Sequence, residues 1–221
     1  MDDMTVLERL LAERWSCRGY LSDEVPRETI ERLLTVAGRT PSWCNTQPWE
    51  VTVLSGEATS SLVKAMAEDA EHWTPDIPFP AGYEGVYADR RRESGWQLYE
   101  AVGVAKGDRD ASAAQMLRNF EFFGAPHAAI VTTTASLGPY GAVDCGLFID
   151  SFLLAAQALG LGACAQAAIA MRAGVVREHL GLADDRQVVA GIAFGRPDPE
   201  HLTNTYRTNR VPLDEFVTFR D

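Results

Sequence analysis

Residues 142–159 limit the folds open to this chain more than any other stretch. They form a helical pattern that is apolar nearly all round, broken only by Asp144, Asp150, Ser151 and Gln157. A helix on the surface of a globular protein shows one apolar stripe and one polar face, so a helix apolar on most sides has to be covered on most sides. Its length approaches that of a membrane span, but two carboxylates inside it argue against a hydrocarbon environment. The reading is a helix in the centre of the fold or at a subunit interface, ended by Gly160-Leu161-Gly162.

The second constraint is residues 41–49, PSWCNTQPW. Pro41 and Pro48 fix φ and remove backbone donors, so this segment is a shaped loop held against something. Polar side chains between two tryptophans suit a flat, partly polar ligand, and equally a helix-to-strand connection with a buried Trp.

Around these two features the chain alternates helices and strands. Residues 5–14 carry Val6, Leu7, Leu10 and Leu11 at helical spacing. Gly19, just beyond, permits an unusual backbone turn. Pro26 starts a helix that Ile30, Leu33, Leu34 and Ala37 continue to Gly38. Residues 50–55, EVTVLS, read as a strand, and Gly56-Glu57 turns the chain into a helix to about Glu71. Residues 72–95 have no period and read as a loop or lid, with Arg90-Arg91-Arg92 as a solvated helical face. Helices are expected over 96–104, 110–123 and 171–180. Residues 128–134 and 187–194 read as strands, and 163–168 as a short strand or turn. The polar, proline-marked end, 196–221, reads as an extended arm with a terminal strand over 215–219.

Charge and cysteine usage then exclude several functions. A net charge of -11 repels a phosphate backbone, so nucleic acid is not expected as a partner, nor is a membrane. Cys17, Cys44, Cys145 and Cys164 are scattered without a CxxC pair, as reduced thiols in a cytoplasmic protein would be. Met1-Asp2-Asp3 does not open a signal peptide. No HExxH or His/Cys cluster suggests a metal. Gly160-x-Gly162 lacks a third glycine and follows a helix, so it is no dinucleotide fingerprint; P-loop and GxSxG motifs are missing too. What remains is a set of anion-binding candidates: Arg14, Ser16 and Arg18 near the start, Arg207 and Arg210 near the end.

The runs RWSCR, PRETIERLL, PSWCNTQPW, GIAFGRPDP and RTNRVPLDE, in this order over most of the chain, resemble the FMN-dependent nitroreductase family. GWQLYEAVGV and NFEFFGAP are similar to its nitrobenzoate and NADPH nitroreductase branch. The resemblance implies one α+β domain over residues 1–221: a three-layer sandwich with a mixed central sheet wrapped by helices, its arm from about residue 196 packing on the partner subunit of a homodimer. It implies FMN as cofactor and NAD(P)H as co-substrate. The reaction would reduce nitroaromatics, quinones or a related small electron acceptor by ping-pong hydride transfer through flavin N5; a flavin-binding protein without that turnover is the alternative. Carried over residue by residue, it gives Arg14, Ser16 and Arg18 to the phosphate and ribityl region. Pro41, Ser42, Asn45 and Gln47 go to the loop against the flavin and ribityl groups, Ala165, Gln166 and Ala167 to the backbone facing the ring, and Arg207 and Arg210 to a further phosphate contact. Trp15 stands where the family usually has a second basic residue. No side-chain acid or base is implied, so no catalytic residue is assigned.

Overall fold

The computed structural model describes residues 2–69 and 72–220. Met1, the expected helix end at Glu71 and the last residue of the expected arm, Asp221, lie outside the described residues.

Helix α1 (Asp3–Glu13) starts two residues earlier than its apolar spacing suggests, because Asp2 caps it, accepting from the Thr5 backbone N–H at 2.9 Å. Helix α2 (Arg27–Ala37) follows Pro26. Strand β1 (Glu50–Ser55) leads into α3 (Glu57–Glu68), then come α4 (Gly85–Ala101) and α5 (Arg109–Leu117). Strand β2 (His127–Thr134), the long helix α6 (Gly138–Ala158), β3 (Gly162–Gln166), α7 (Ala173–Leu180) and β4 (Arg186–Gly195) complete the regular elements.

The four strands form one sheet in the order β1-β2-β4-β3, every neighbouring pair antiparallel. The sheet is therefore antiparallel rather than mixed as expected, the one parallel pairing among the described residues being the isolated bridge from Ser16 to Ala163. Strand β2 shows why this is a three-layer α+β sandwich. Ala128 and Ile130 point into a core shared with α3, α7 and Phe120–Phe123, while Ala129 and Val131 point into a second core shared with α2 and α6. A strand buried on both faces reads as an unbroken apolar run, which is the composition of residues 128–131. A bulge opposite Val131/Thr132 shifts the parity of β4. Val189, the extra residue, packs on the α2/α6 side, as Ile192 and Phe194 do beyond it, with Val188 and Ala193 on the other face.

Helix α6 lies on the sheet through Cys145, Phe148, Phe152, Ala155 and Ala156. Its opposite face, by contrast, leaves Tyr140, Val143 and Leu147 exposed.

Three sequence expectations change here. Residues 85–95 are helix rather than loop: α4 reaches back to Gly85, and since none of its residues is buried, no apolar period marks it. The helix expected over 110–123 stops at Leu117 and tightens into a 3-10 segment in which Phe122 and Phe123 take left-handed φ of 49° and 55°. Bulky residues avoid that region, but here it turns both rings into the core, where their burial offsets the strain. The strand expected over 215–219 does not form; Leu213–Glu215 is a short 3-10 turn. A strand needs a neighbouring ladder to exist, and among the described residues 215–219 meet none, whereas the start of the arm does pair, Pro197 with Tyr20.

Between the two cores sits His127, buried and stacked on Phe194. Its Nε2 accepts from the Val25 backbone N–H at 2.8 Å, which places the ring proton on Nδ1, donated to Ser55 Oγ at 2.7 Å. Burial pushes the imidazole below its ordinary value of 6.5, with the Glu24 carboxylate offsetting part of the effect. Its folded pKa is depressed, so the folded state resists a proton that the unfolded chain takes up at 6.5. Stability is therefore full above that pH and falls below it, by up to about 1.4 kcal/mol per pH unit, until the folded pKa is reached. Urea midpoints between pH 8 and pH 5 should show this fall, and His127→Gln should flatten it; equal slopes for both proteins would refute the assignment.

Candidate functional site

The two ends of the chain meet. After α1, the backbone of residues 14–18 runs beside β3: the Ser16 to Ala163 bridge and a 3.1 Å hydrogen bond from the Cys17 N–H to the Ala163 carbonyl fix it there. Asn204, from the arm, ties the same segment from the other side. Its Oδ1 accepts from the Arg18 backbone N–H at 3.1 Å and from Trp15 Nε1 at 3.3 Å, and its Nδ2 donates to the Gly19 and Asp198 carbonyls at 2.9 and 2.8 Å. Gly19 is required by this approach rather than by a special turn: a Cβ there would overlap the His201 ring.

This junction walls a cavity of about 290 Å³ with Arg14, Ser16, Arg18, Arg207 and Arg210. All five anion-binding candidates are thus brought together. None of the four arginines has a carboxylate within ion-pair distance among the described residues, in a chain of net charge -11. The Arg14 Nε is buried and has no hydrogen-bond partner among the described residues. Four guanidinium groups without carboxylate partners among the described residues, facing one cavity and including one buried unpartnered donor, fit a phosphate group.

Trp15 has a definite role in this wall. The Arg207 guanidinium sits 4.4 Å from its ring centroid, and Arg207 Nη1 donates to the Asn204 and Tyr206 carbonyls at 2.8 Å each. An aromatic shelf at position 15 therefore holds a positive charge supplied from the arm. Arg18 Nη1 donates to Tyr206 Oη at 3.0 Å and to the Ser16 carbonyl at 3.1 Å. Burial pushes the Tyr206 phenol up, the Arg18 guanidinium offsetting part of that, so it stays a neutral donor at physiological pH.

Gln166 and its neighbours lie at the end of β3. Ala165 and Ala167 are exposed while Gln166 turns inward, its Nε2 donating to the Asn119 carbonyl at 2.8 Å. The Gln166 Oε1 is buried and unpartnered among the described residues. Ala165 and Ala167 thus offer a small-residue backbone surface next to residues 14–18.

Pro41, Ser42, Asn45 and Gln47 do not line the arginine cavity. Their loop lies along α6 instead. Both carboxylate oxygens of the buried Asp144 accept from the Trp43 backbone N–H at 3.1 Å, Trp43 meets Tyr140, and Trp49 stacks on Phe148 at 5.3 Å. Cys44, Asn45 and Gln47 all take positive φ, between 46° and 55°, a strained path for non-glycine residues that Asp144 and Trp49 hold in place. Pro41, Asn45 and Gln47 are exposed, Ser42 half so.

Asn204, Tyr206 and Asp144 escape the sequence reading. Asn204 and Tyr206 sit in a segment without periodicity, and their partners lie 185 to 189 positions away. Asp144 gives a signal, a carboxylate in an otherwise apolar helix, but its partner is a backbone N–H.

An antiparallel sheet between two helical layers, with an arginine-walled cavity built from both chain ends, makes this an α+β protein with a seat of the charge and shape that suits a phosphate group. The chain belongs to the nitroreductase family: the profile described as "Nitroreductase family" matches residues 11–196. It is 36% identical over 215 residues to nitroreductase NfnB of Mycolicibacterium smegmatis, covering 96% of this chain and 92% of that one. It is 35% identical to chloronitrobenzene nitroreductase of Comamonas testosteroni, covering 96% of each. Among solved structures, FMN-dependent NfnB from Mycobacterium smegmatis in complex with NADPH superposes with a TM-score of 0.91 at 35% identity over 100% of both chains.

Proposed function

We propose that this chain is an FMN-dependent NAD(P)H oxidoreductase that reduces nitroaromatic compounds, quinones or a related small acceptor. The observation that carries the reading is the seat itself: four arginines without carboxylate partners among the described residues around one cavity, whose wall at residues 14–18 is bridged to β3 near the exposed Ala165 and Ala167. Similarity over nearly full length to proteins named as nitroreductases favours turnover over flavin binding alone. Bound FMN would supply the two-electron centre that takes hydride from NAD(P)H and delivers it to the acceptor. The chain's own work is to bind and position. Arg14, Arg18, Arg207 and Arg210, with Ser16, would hold the phosphate and ribityl end by charge-assisted hydrogen bonds. Residues 165–167 would lie along the ring, and Tyr206 would orient Arg18. The purified protein should be yellow, bleach anaerobically with NADPH and recolour on adding a nitroaromatic compound. A colourless protein that takes up no FMN would overturn the reading.

The same reading makes the chain one domain that works as a homodimer in the cytoplasm. Tyr140, Val143 and Leu147 line the outer face of α6 at 65%, 57% and 46% exposure, with Trp43 beside them at 67%. A contiguous apolar face of this kind marks an interface. Phe216 and Phe219 on the arm are exposed as well, which suits an arm packed on a partner subunit. Residues 41–47, remote from their own arginine cavity, would then serve the partner's flavin. Light scattering should give twice 24.2 kDa for the holoprotein; an FMN-loaded monomer would sink the shared site.

The thiols are not expected to take part. Cys164 is buried and its pKa is raised by that burial, Cys17 is pushed up to about 11, and Cys44 is exposed on the loop. Cys44→Ser should keep most of the nitroreductase turnover; loss of the reductive half-reaction with FMN still bound would contradict this.

A further inference from the structure

A second, larger cavity of about 1040 Å³ opens beside the arginine seat and shares Arg18, Ser94 and Tyr206 with it. One wall is α4, whose Ala88, Arg91, Gly95 and Leu98 recur at helical spacing along the cavity. The facing wall is the strip of residues 80–83. That strip is anchored at its base: Asp76 Oδ2 accepts from the Val188 N–H at 2.8 Å, Asp76 pairs with Arg177, and the Thr74 N–H donates to the Met171 carbonyl at 2.9 Å.

The three arginines of α4 are not equivalent. Arg90 pairs with Glu215 and Arg92 with Asp89, whereas Arg91 has no carboxylate partner among the described residues. Its guanidinium lies 5.3 Å from the centroid of the Tyr83 ring, at the wall of the cavity. An uncompensated guanidinium on an aromatic shelf suits a phosphate monoester attached to a nucleoside, since the planar donor fork meets phosphate oxygens and the ring offers a stacking surface. In a chain of net charge -11, a dianion needs such a local charge to be admitted at all. The two nicotinamide donors differ only by a phosphate monoester on the adenosine ribose.

We infer that Arg91, stacked on Tyr83, reads the 2′-phosphate of the hydride donor and selects NADPH over NADH. The inference rests on the oxidoreductase reading above and assigns a specificity residue within it.

The test uses the FMN-loaded enzyme. Arg91→Gln should lower kcat/KM for NADPH by about ten- to a hundredfold, the scale of one charge-assisted contact, and change that for NADH less than twofold. Arg91→Lys should recover part of the loss, because the charge is kept. Inhibition by 2′-phosphoadenosine 5′-phosphate should weaken in Arg91→Gln in parallel, while the weaker inhibition by AMP should not change. Equal losses with NADPH and NADH, or undiminished inhibition by the bisphosphate, would overturn the inference while leaving the oxidoreductase reading intact. So would a raised KM for 4-nitrobenzoate but not for nitrobenzene with NADPH kinetics unchanged, which would assign Arg91 to an acidic acceptor. A wild-type flavin bleached by neither donor would instead bring down the oxidoreductase reading and this inference with it.

Discussion

Replacing Asn204 with alanine is expected to destabilise the protein by about 2–4 kcal/mol and to weaken FMN binding with it, the largest single-residue effect outside the core. Asn204 makes four side-chain hydrogen bonds, three of which join the arm to residues 15–19 while the fourth goes to the Asp198 carbonyl within the arm. Alanine removes all of them at once. The Gly19 carbonyl keeps a partner in the Asp198 N–H at 3.1 Å, but the Arg18 N–H loses its acceptor, and an orphaned part-buried donor costs about 1–3 kcal/mol. Trp15 Nε1 loses its acceptor as well, so the indole shelf under the Arg207 guanidinium is held less firmly, while Arg207 keeps its bond to the main-chain carbonyl of residue 204. For a chain of this length the change corresponds to a melting temperature lowered by about 5–15 °C. Urea unfolding and flavin titration of the variant measure the two effects. A variant within 0.5 kcal/mol of wild type, with unchanged FMN affinity, would show that the arm is not what shapes the seat.

Arg18→Ala should raise the FMN dissociation constant by about ten- to a hundredfold, the worth of one charge-assisted contact of roughly 1.5–3 kcal/mol. Arg18 lines both cavities and is oriented from three sides, by the Ser16 carbonyl, the Tyr206 hydroxyl and the Phe123 ring 5.7 Å away. An arginine already oriented loses less entropy when phosphate arrives, which is why its removal should matter more than its charge alone. Arg27→Ala is the matched control, because that side chain is exposed on α2 and paired with Glu31 one turn on. The thermal upshift produced by saturating FMN should shrink for Arg18→Ala and not for Arg27→Ala. Equal dissociation constants for the two variants would remove Arg18 from the phosphate seat.

Local pattern sufficed wherever burial imposes a period. The β-branched alternation of EVTVLS, the apolar runs at 128–131 and 188–194, and the leucine spacing of α2 each name their element, because each has a face that must leave water, and α1 shows the same spacing although none of its residues is buried in the single chain. The helix around residues 142–159 announced that it would be covered on several sides, and it does pack on the sheet while keeping an apolar outer face. Motif likeness added the family and the seat residues, and the arginines named from it do share one cavity.

Tertiary structure alone decided the rest. Helix α4 has no buried residue and so no apolar period to betray it; its arginine run read as solvated charge, and only folding sets Arg91 apart from its paired neighbours. Phe122 and Phe123 adopt a backbone conformation no propensity favours, since the core gains two rings by it. Asn204 is one polar residue among many in an aperiodic arm until the fold brings residues 15–19 within hydrogen-bonding reach. Hydrophobic periodicity is written locally because water acts on each residue where it stands, whereas a hydrogen bond between positions 18 and 204 exists only after the sheet has brought the two ends of the chain together.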